Sequence, residues 1–340
     1  MRRVIFKALG KLGVRTKSEP HLSIKKNAAD RSSIPIWILG FARTGTTTAQ
    51  AILAEAFDYN ASFEPFGFND AESKQFELAN KYFRGNPTAA EQSCFARDSI
   101  CPAALETITD PDQAHRLVGI FNRYIDSQYD VYGRNVVIKE LRIISNIAQL
   151  HKYHEENNIP LVVVGVISNP YQPLYTYYRL GGLSLSNNLS SLRVSDIYRY
   201  RMLTYEALGL FPEIRELVTN SAADELLVSI LLDQAMLLRC ADLKLIHVIT
   251  SLAELEKHLP TISALTSRVV NEKDRPRIST SSRYLSDRYF HELVIEKLSP
   301  DISSYIDANY QSPDFRIKES SGFGLRQMIT ALRHRIYEKC

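Results

Sequence analysis

The chain has 340 residues, 45% of them hydrophobic and 23% charged, with 14 Gly and 14 Pro. This excludes collagen-like, coiled-coil and wholly disordered classes and suffices for one large α/β domain or two medium ones with a packed core. Its 41 Lys and Arg against 38 Asp and Glu leave a net charge of +3, too near balance for a dedicated nucleic-acid binder.

Residues 1–17 place Val4, Ile5, Ala8, Leu9 and Leu12 on one helical face and Arg2, Arg3, Lys7, Lys11 and Arg15 largely on the other. The segment lacks the continuous apolar core of a signal peptide. It reads either as a peripheral membrane contact through residues 1–16 or a partner-docking helix, or as a frayed or packed terminal helix. Residues 18–33 are polar and aperiodic, so the expected division is a basic amphipathic segment with a polar linker over 1–32 and a single α/β domain over 33–340.

The first strand is predicted at Ile34–Phe41, followed by a helix over Thr47–Phe57 and a short strand at Asn60–Phe63. Residues 70–130 read as a helical insertion. A third strand fits Asn135–Lys139, with a helix to about Glu156. The fourth, Pro160–Ile167, is a solid Val/Ile run of the kind found when both faces of a parallel strand are covered. It is far too short to span a membrane. Helices are predicted from Pro170, Asp196 and Ala223, then a fifth strand at Leu243–Ile249; the last ninety or so residues read as helical and polar. Alternating strands and helices imply right-handed βαβ units, hence an α/β fold with an open parallel sheet of about five strands flanked by helices. Ligands bind such sheets beyond the carboxyl ends of the strands.

GFARTGTT, Gly40–Thr47, stands at the end of the first strand. Its GxxxxG spacing lets backbone N–H groups wrap an anion at a helix N-terminus, giving a P-loop-like turn. The alternative is a tight strand-to-helix turn with Gly for geometry and Thr for capping. A nucleoside-triphosphatase loop continues with Lys, but Thr46 stands there, and the loop's cation is Arg43.

ARTGTT resembles the 5′-phosphosulfate loop of sulfotransferases that use 3′-phosphoadenosine 5′-phosphosulfate (PAPS). The resemblance implies that Arg43 and the backbone of Ala42, Thr44 and Gly45 stabilise the phosphosulfate, and that Thr46 and Thr47 hold the 5′-phosphate. Thr44 stands where Ser is usual in that family. Three later segments extend the likeness toward carbohydrate-type members. In SFEPF, Glu64 resembles a general base on the acceptor hydroxyl; its other reading is a solvated strand-end carboxylate. VIKELRII resembles the KxVR segment, which implies that Lys139 neutralises the sulfate and Arg142 positions an acceptor, the alternative being a solvated basic helix start. ISNPYQPLYTYYRL resembles the 3′-phosphate segment: Asn169 and Pro170 suit a helix start, and Thr176 keeps the hydroxyl of the usual Ser. Ser168 replaces the usual Arg, and Arg179, one turn beyond Thr176, is the candidate to supply that charge. The likeness spans residues 34 to about 182 and thins at the fifth strand.

The resemblance implies a PAPS-dependent sulfotransferase acting on a hydroxyl or amine of a carbohydrate, glycolipid or small natural product, without a metal. Two rivals are a non-catalytic sulfotransferase-like nucleotide-binding protein and a P-loop kinase or nucleotide hydrolase. Three other features are read as structural. His151 and His154 have a ligand-like helical spacing but sit among Lys152, Glu155 and Glu156, as on a solvated face. Cys94, Cys101, Cys240 and Cys340 contain no CxxC pair and no disulfide framework, the usage of a reducing, cytoplasmic compartment. The tyrosines at 171, 175, 177 and 178 read mostly as packing.

Overall fold

In the computed structural model the described residues are 33–63, 109, 111–141, 143–179, 188–270 and 287–309. Glu64, Arg142, Cys94, Cys101, the segment 1–32 and the insertion up to residue 108 lie outside them.

Five strands form one parallel sheet: β1 Ile36–Gly40, β2 Asn60–Phe63, β3 Val136–Lys139, β4 Val162–Val166 and β5 Val248–Thr250. Their order is β2-β3-β1-β4-β5, so β1 is central and the chain crosses to its other side between β3 and β4. The helices between them are α1 Thr46–Phe57, α2 Pro111–Tyr132, α3 Ile147–Glu156, α4 Tyr171–Arg179, α5 Asn188–Ala207, α6 Pro212–Arg215 and α7 Ala222–Asp242. After β5 come α8 Leu255–Thr266, α9 Arg288–Leu293 and α10 Pro300–Asn309. Among the described residues no helix is long and apolar enough to cross a membrane.

The apolar runs of β1 and β4 follow from burial on both faces. Ile36, Ile38, Val162, Val164 and Val166 pack with Ile52 and Leu53 of α1 and with Leu255, Leu259 and Ile262 of α8. Trp37, Leu39, Val136, Ile138 and Val163 point the other way, into a larger cluster with Phe121 of α2, Leu150 of α3, Leu174 of α4 and Leu231 of α7. Each such side chain contributes roughly 1.5–3 kcal/mol on burial. Gly165 interrupts the run for a steric reason: a Cβ there would stand 2.6 Å from Ile249 Cδ1. The α7 helix is buried over most of its circumference, its apolar side chains interrupted by the buried Asp224, Ser229, Asp233 and Gln234, because it lies between the sheet and α5. Ser221 caps it, accepting from the backbone N–H of Asp224 while its hydroxyl donates to the Asp224 carboxylate.

Three sequence expectations shift. The helix predicted from Asp196 is α5, which already begins at Asn188. The fifth strand begins at Val248, not Leu243, because Leu243, Lys244 and Leu245 terminate α7. Lys244 takes φ 61°, and the Leu245 N–H reaches back to the Cys240 carbonyl at 2.8 Å. His154 is not on a solvated face but 2% exposed, since it continues the Ile147–Leu150 stripe that faces the sheet. It belongs to a polar chain: its Nδ1–H donates to the Leu150 carbonyl, its Nε2 accepts from the Tyr129 hydroxyl, and Trp37 Nε1–H donates to that same hydroxyl oxygen. This order fixes the neutral imidazole as the Nδ1–H tautomer. Burial lowers the His154 pKa to about 4 and pushes the Tyr129 hydroxyl well above its ordinary range.

Candidate functional site at the strand ends

The turn from β1 into α1 is tight. A Cβ on Gly40 would lie 2.6 Å from Thr46 Cγ2 and 2.7 Å from the Val166 carbonyl, so the first glycine of GxxxxG lets the loop close over the end of β4. The Thr44 hydroxyl donates to the Phe41 carbonyl at 2.7 Å and is buried, so in this structure it braces the loop. Arg43, at φ 73°, is exposed at the loop tip beside half-buried Ala42. Left-handed backbone at a residue with a Cβ costs about 1–2 kcal/mol, so the surrounding fold must hold it there. Gly45, at φ 94°, is the N-cap of α1 and offers no side-chain cap. The first-turn N–H groups of α1, with the positive end of its dipole, are therefore open to an anion.

β3 brings a cation to this turn. Lys139, its last residue, is only 3% exposed, and its Nζ donates to Thr47 Oγ1 at 3.0 Å. Gln50, one turn along α1 and buried, donates to the carbonyls of Ser62 at 2.6 Å and Val137 at 2.9 Å, tying the helix to both β2 and β3. The relative placement of Thr47 and Lys139 is thus set by strand backbone.

At the end of β4, Ser168 is buried, and its carbonyl accepts from Gln234 Nε2 of α7 at 2.7 Å. Next to Gln234, Asp233 is held by Arg201 of α5 at 2.7 and 2.8 Å and by the Tyr205 hydroxyl at 2.8 Å. This buried ion pair keeps α7 aligned for the contact with Ser168. Asn169 opens α4, its side-chain oxygen accepting from the Tyr171 N–H at 2.9 Å. Further along, Thr176 donates its one hydroxyl proton to the Gln172 carbonyl at 3.0 Å and must turn from it to donate to a phosphate. Arg179 is 60% exposed and stands 3.7 Å from the Asp287 carboxylate.

The end of β5 also reaches the loop. The buried Thr250 accepts the Ile167 N–H through its carbonyl, and Leu252 packs on Gly45, within 3.0–3.5 Å of where a Cβ would be. Sequence reading misses this wall. The signal available for it is the polar pair Thr250–Ser251 directly after an apolar stretch.

The structure therefore gathers Ala42, Arg43, Thr44, Gly45, Thr46, Thr47 and Lys139 at one rim, with the end of β4 touching it through Gly40. Ser168 follows within two residues of β4, while Thr176 and Arg179 extend outward along α4. Among the described residues no group of three or more His, Cys, Asp or Glu could hold a metal ion. Comparison with known proteins gives no matching family model, no matching curated protein and no matching solved structure.

Proposed function

We propose that this chain is a PAPS-dependent sulfotransferase of the carbohydrate type. The observation that carries the reading is the buried Lys139 ammonium on Thr47 Oγ1. In a P-loop triphosphatase the corresponding hydroxyl serves Mg²⁺, and the lysine sits one residue earlier in the loop. Here the loop lysine is replaced by Thr46, and an ammonium from β3 stands on the next hydroxyl. A divalent cation bound there would face that like charge at close range. The arrangement suits an anion that is neutralised by Arg43, Lys139 and the α1 N-terminus without an intervening metal, which also disfavours the kinase or hydrolase alternative.

In this reading Glu64, the residue after β2, takes the proton of an acceptor hydroxyl. The acceptor oxygen forms its bond to sulfur as the bond between sulfur and the phosphate oxygen breaks. Arg43 and Lys139 stabilise the charge on that departing oxygen. Thr46 and Thr47 hold the 5′-phosphate, Thr176 and Arg179 the 3′-phosphate, and Arg142 orients the acceptor, a hydroxyl or amine of a carbohydrate, glycolipid or small natural product. The compartment proposed is the cytoplasm, with residues 1–16 as a peripheral contact with a membrane surface.

Incubation with PAPS and an acceptor panel, followed by mass spectrometry, tests this. Sulfated product and 3′,5′-ADP are expected, with turnover reduced about a hundredfold or more in Arg43→Ala and Lys139→Met. Mg²⁺-dependent ATP turnover with no sulfate transfer would overturn the proposal. A second reading, nucleotide binding without transfer, is favoured by one observation: the usual arginine position is Ser168, buried and with its carbonyl already bonded. It predicts saturable 3′,5′-ADP binding and no product from any acceptor.

A further inference from the structure

Asp287 is the best-anchored carboxylate near α4. Its Oδ1 caps α9, accepting from the Phe290 N–H at 3.2 Å, and its Oδ2 accepts from the Tyr175 hydroxyl at 3.0 Å. Phe290, fully buried, clamps the same junction from the other side, with ring centroids 5.0 Å from Tyr175 and 5.5 Å from Tyr178. The carboxylate is therefore fixed by two hydrogen bonds that do not involve Arg179. The guanidinium, by contrast, stands 3.7 Å away, beyond direct hydrogen-bond range, on a side chain that is mostly in solvent. Arg179 can leave without stranding Asp287.

An ion pair of this kind is worth at most about fivefold in an equilibrium constant, whereas a charge-assisted contact to phosphate is worth roughly ten- to a hundredfold. A ligand phosphate wins that exchange; a ribose hydroxyl does not. We propose that Asp287 is a positioning residue: it parks Arg179 on α4 while the site is empty and yields it to a 3′-phosphate, so that the pair weakens the binding of 3′-phosphorylated nucleotides and leaves those with a free 3′-hydroxyl untouched. The inference rests on the reading of Thr176 and Arg179 as the 3′-phosphate end of the site. Asp287 itself touches neither nucleotide nor acceptor and acts through the arginine.

The test is calorimetric titration of the full chain with 3′,5′-ADP and with 5′-AMP. Asp287→Asn removes the charge while keeping an oxygen to cap α9 and a polar group for Tyr175. It is expected to tighten 3′,5′-ADP by about three- to fivefold and to leave 5′-AMP unchanged. Arg179→Gln is expected to weaken 3′,5′-ADP by roughly two- to thirtyfold and to erase the gain when combined with Asp287→Asn. Tyr175→Phe serves as the second variant: it loosens the carboxylate without removing its charge, and is expected to leave the preference between the two nucleotides as in the wild type. An Asp287→Asn chain with unchanged 3′,5′-ADP affinity, or with both nucleotides shifted alike, overturns the proposal alone. Wild-type protein that binds neither nucleotide overturns the parent reading and this proposal together.

Discussion

Acidification should weaken the fold through His154, by an amount that follows from its burial. The imidazole titrates at 6.5 in the unfolded chain and at about 4 in the folded one, with desolvation the largest cause. Between those values the unfolded state binds more protons than the native state, so stability rises with pH across this window. The contribution is fully present above pH 6.5 and is lost as pH falls toward 4. Each tenfold difference in proton affinity between the two states is worth about 1.36 kcal/mol, so the whole contribution is roughly 3 kcal/mol, about 2 of which disappear by pH 5. The chain contains a single tryptophan, Trp37, whose ring centroid is 6.4 Å from that of His154 and which shares a hydrogen bond with its partner Tyr129. Urea melts followed by Trp37 fluorescence at pH 7.5 and pH 5.0 therefore report on this contact directly. His154→Gln retains an acceptor for Tyr129 and does not titrate, so it should lose about 2 kcal/mol less than the wild type on acidification. An identical pH slope in the two proteins would refute the assignment. His247 adds to the effect in the same direction, because burial lowers its pKa as well.

Two further tests probe other parts of the molecule. Gly40→Ala drives a methyl against the Val166 carbonyl, and should abolish 3′,5′-ADP binding in a titration while lowering the thermal midpoint by several degrees. Breaking the buried pair singly, as Arg201→Met or Asp233→Leu, should cost about 3–5 kcal/mol in urea unfolding, whereas the double substitution should cost clearly less, since neither charge is then left stranded. Equal losses for single and double variants would place the energy elsewhere.

How far the sequence discloses all this depends on the range of the interaction involved. β1 and β4 are legible because a strand covered on both faces must be apolar throughout, and Asn169–Pro170 marks α4 because capping is local. The GxxxxG turn is readable for the same reason. The predicted start of β5 falls too early because Leu243 and Leu245 are apolar yet belong to the stop of α7, where a left-handed Lys244 without glycine gives no warning. His154 misleads in a related way: its charged neighbours suggest water, while its spacing from Leu150 turns it inward. The contacts of Leu252 with Gly45, Gln234 with Ser168 and Asp287 with Arg179 each join residues distant along the chain. No local pattern encodes them; only the sheet order brings them together.

The placement of Lys139 at the last position of a strand has an evolutionary corollary. A cation carried by a turn can drift whenever the turn gains or loses a residue, whereas one carried by β3 is indexed by its pairing with Phe63 and Ile38. Insertions in the turn are then tolerated electrostatically, but a single-residue slip of β3 would swing the ammonium to the opposite face of the sheet. Lineages derived from this architecture should conserve the length of β3 as strictly as Arg43 itself.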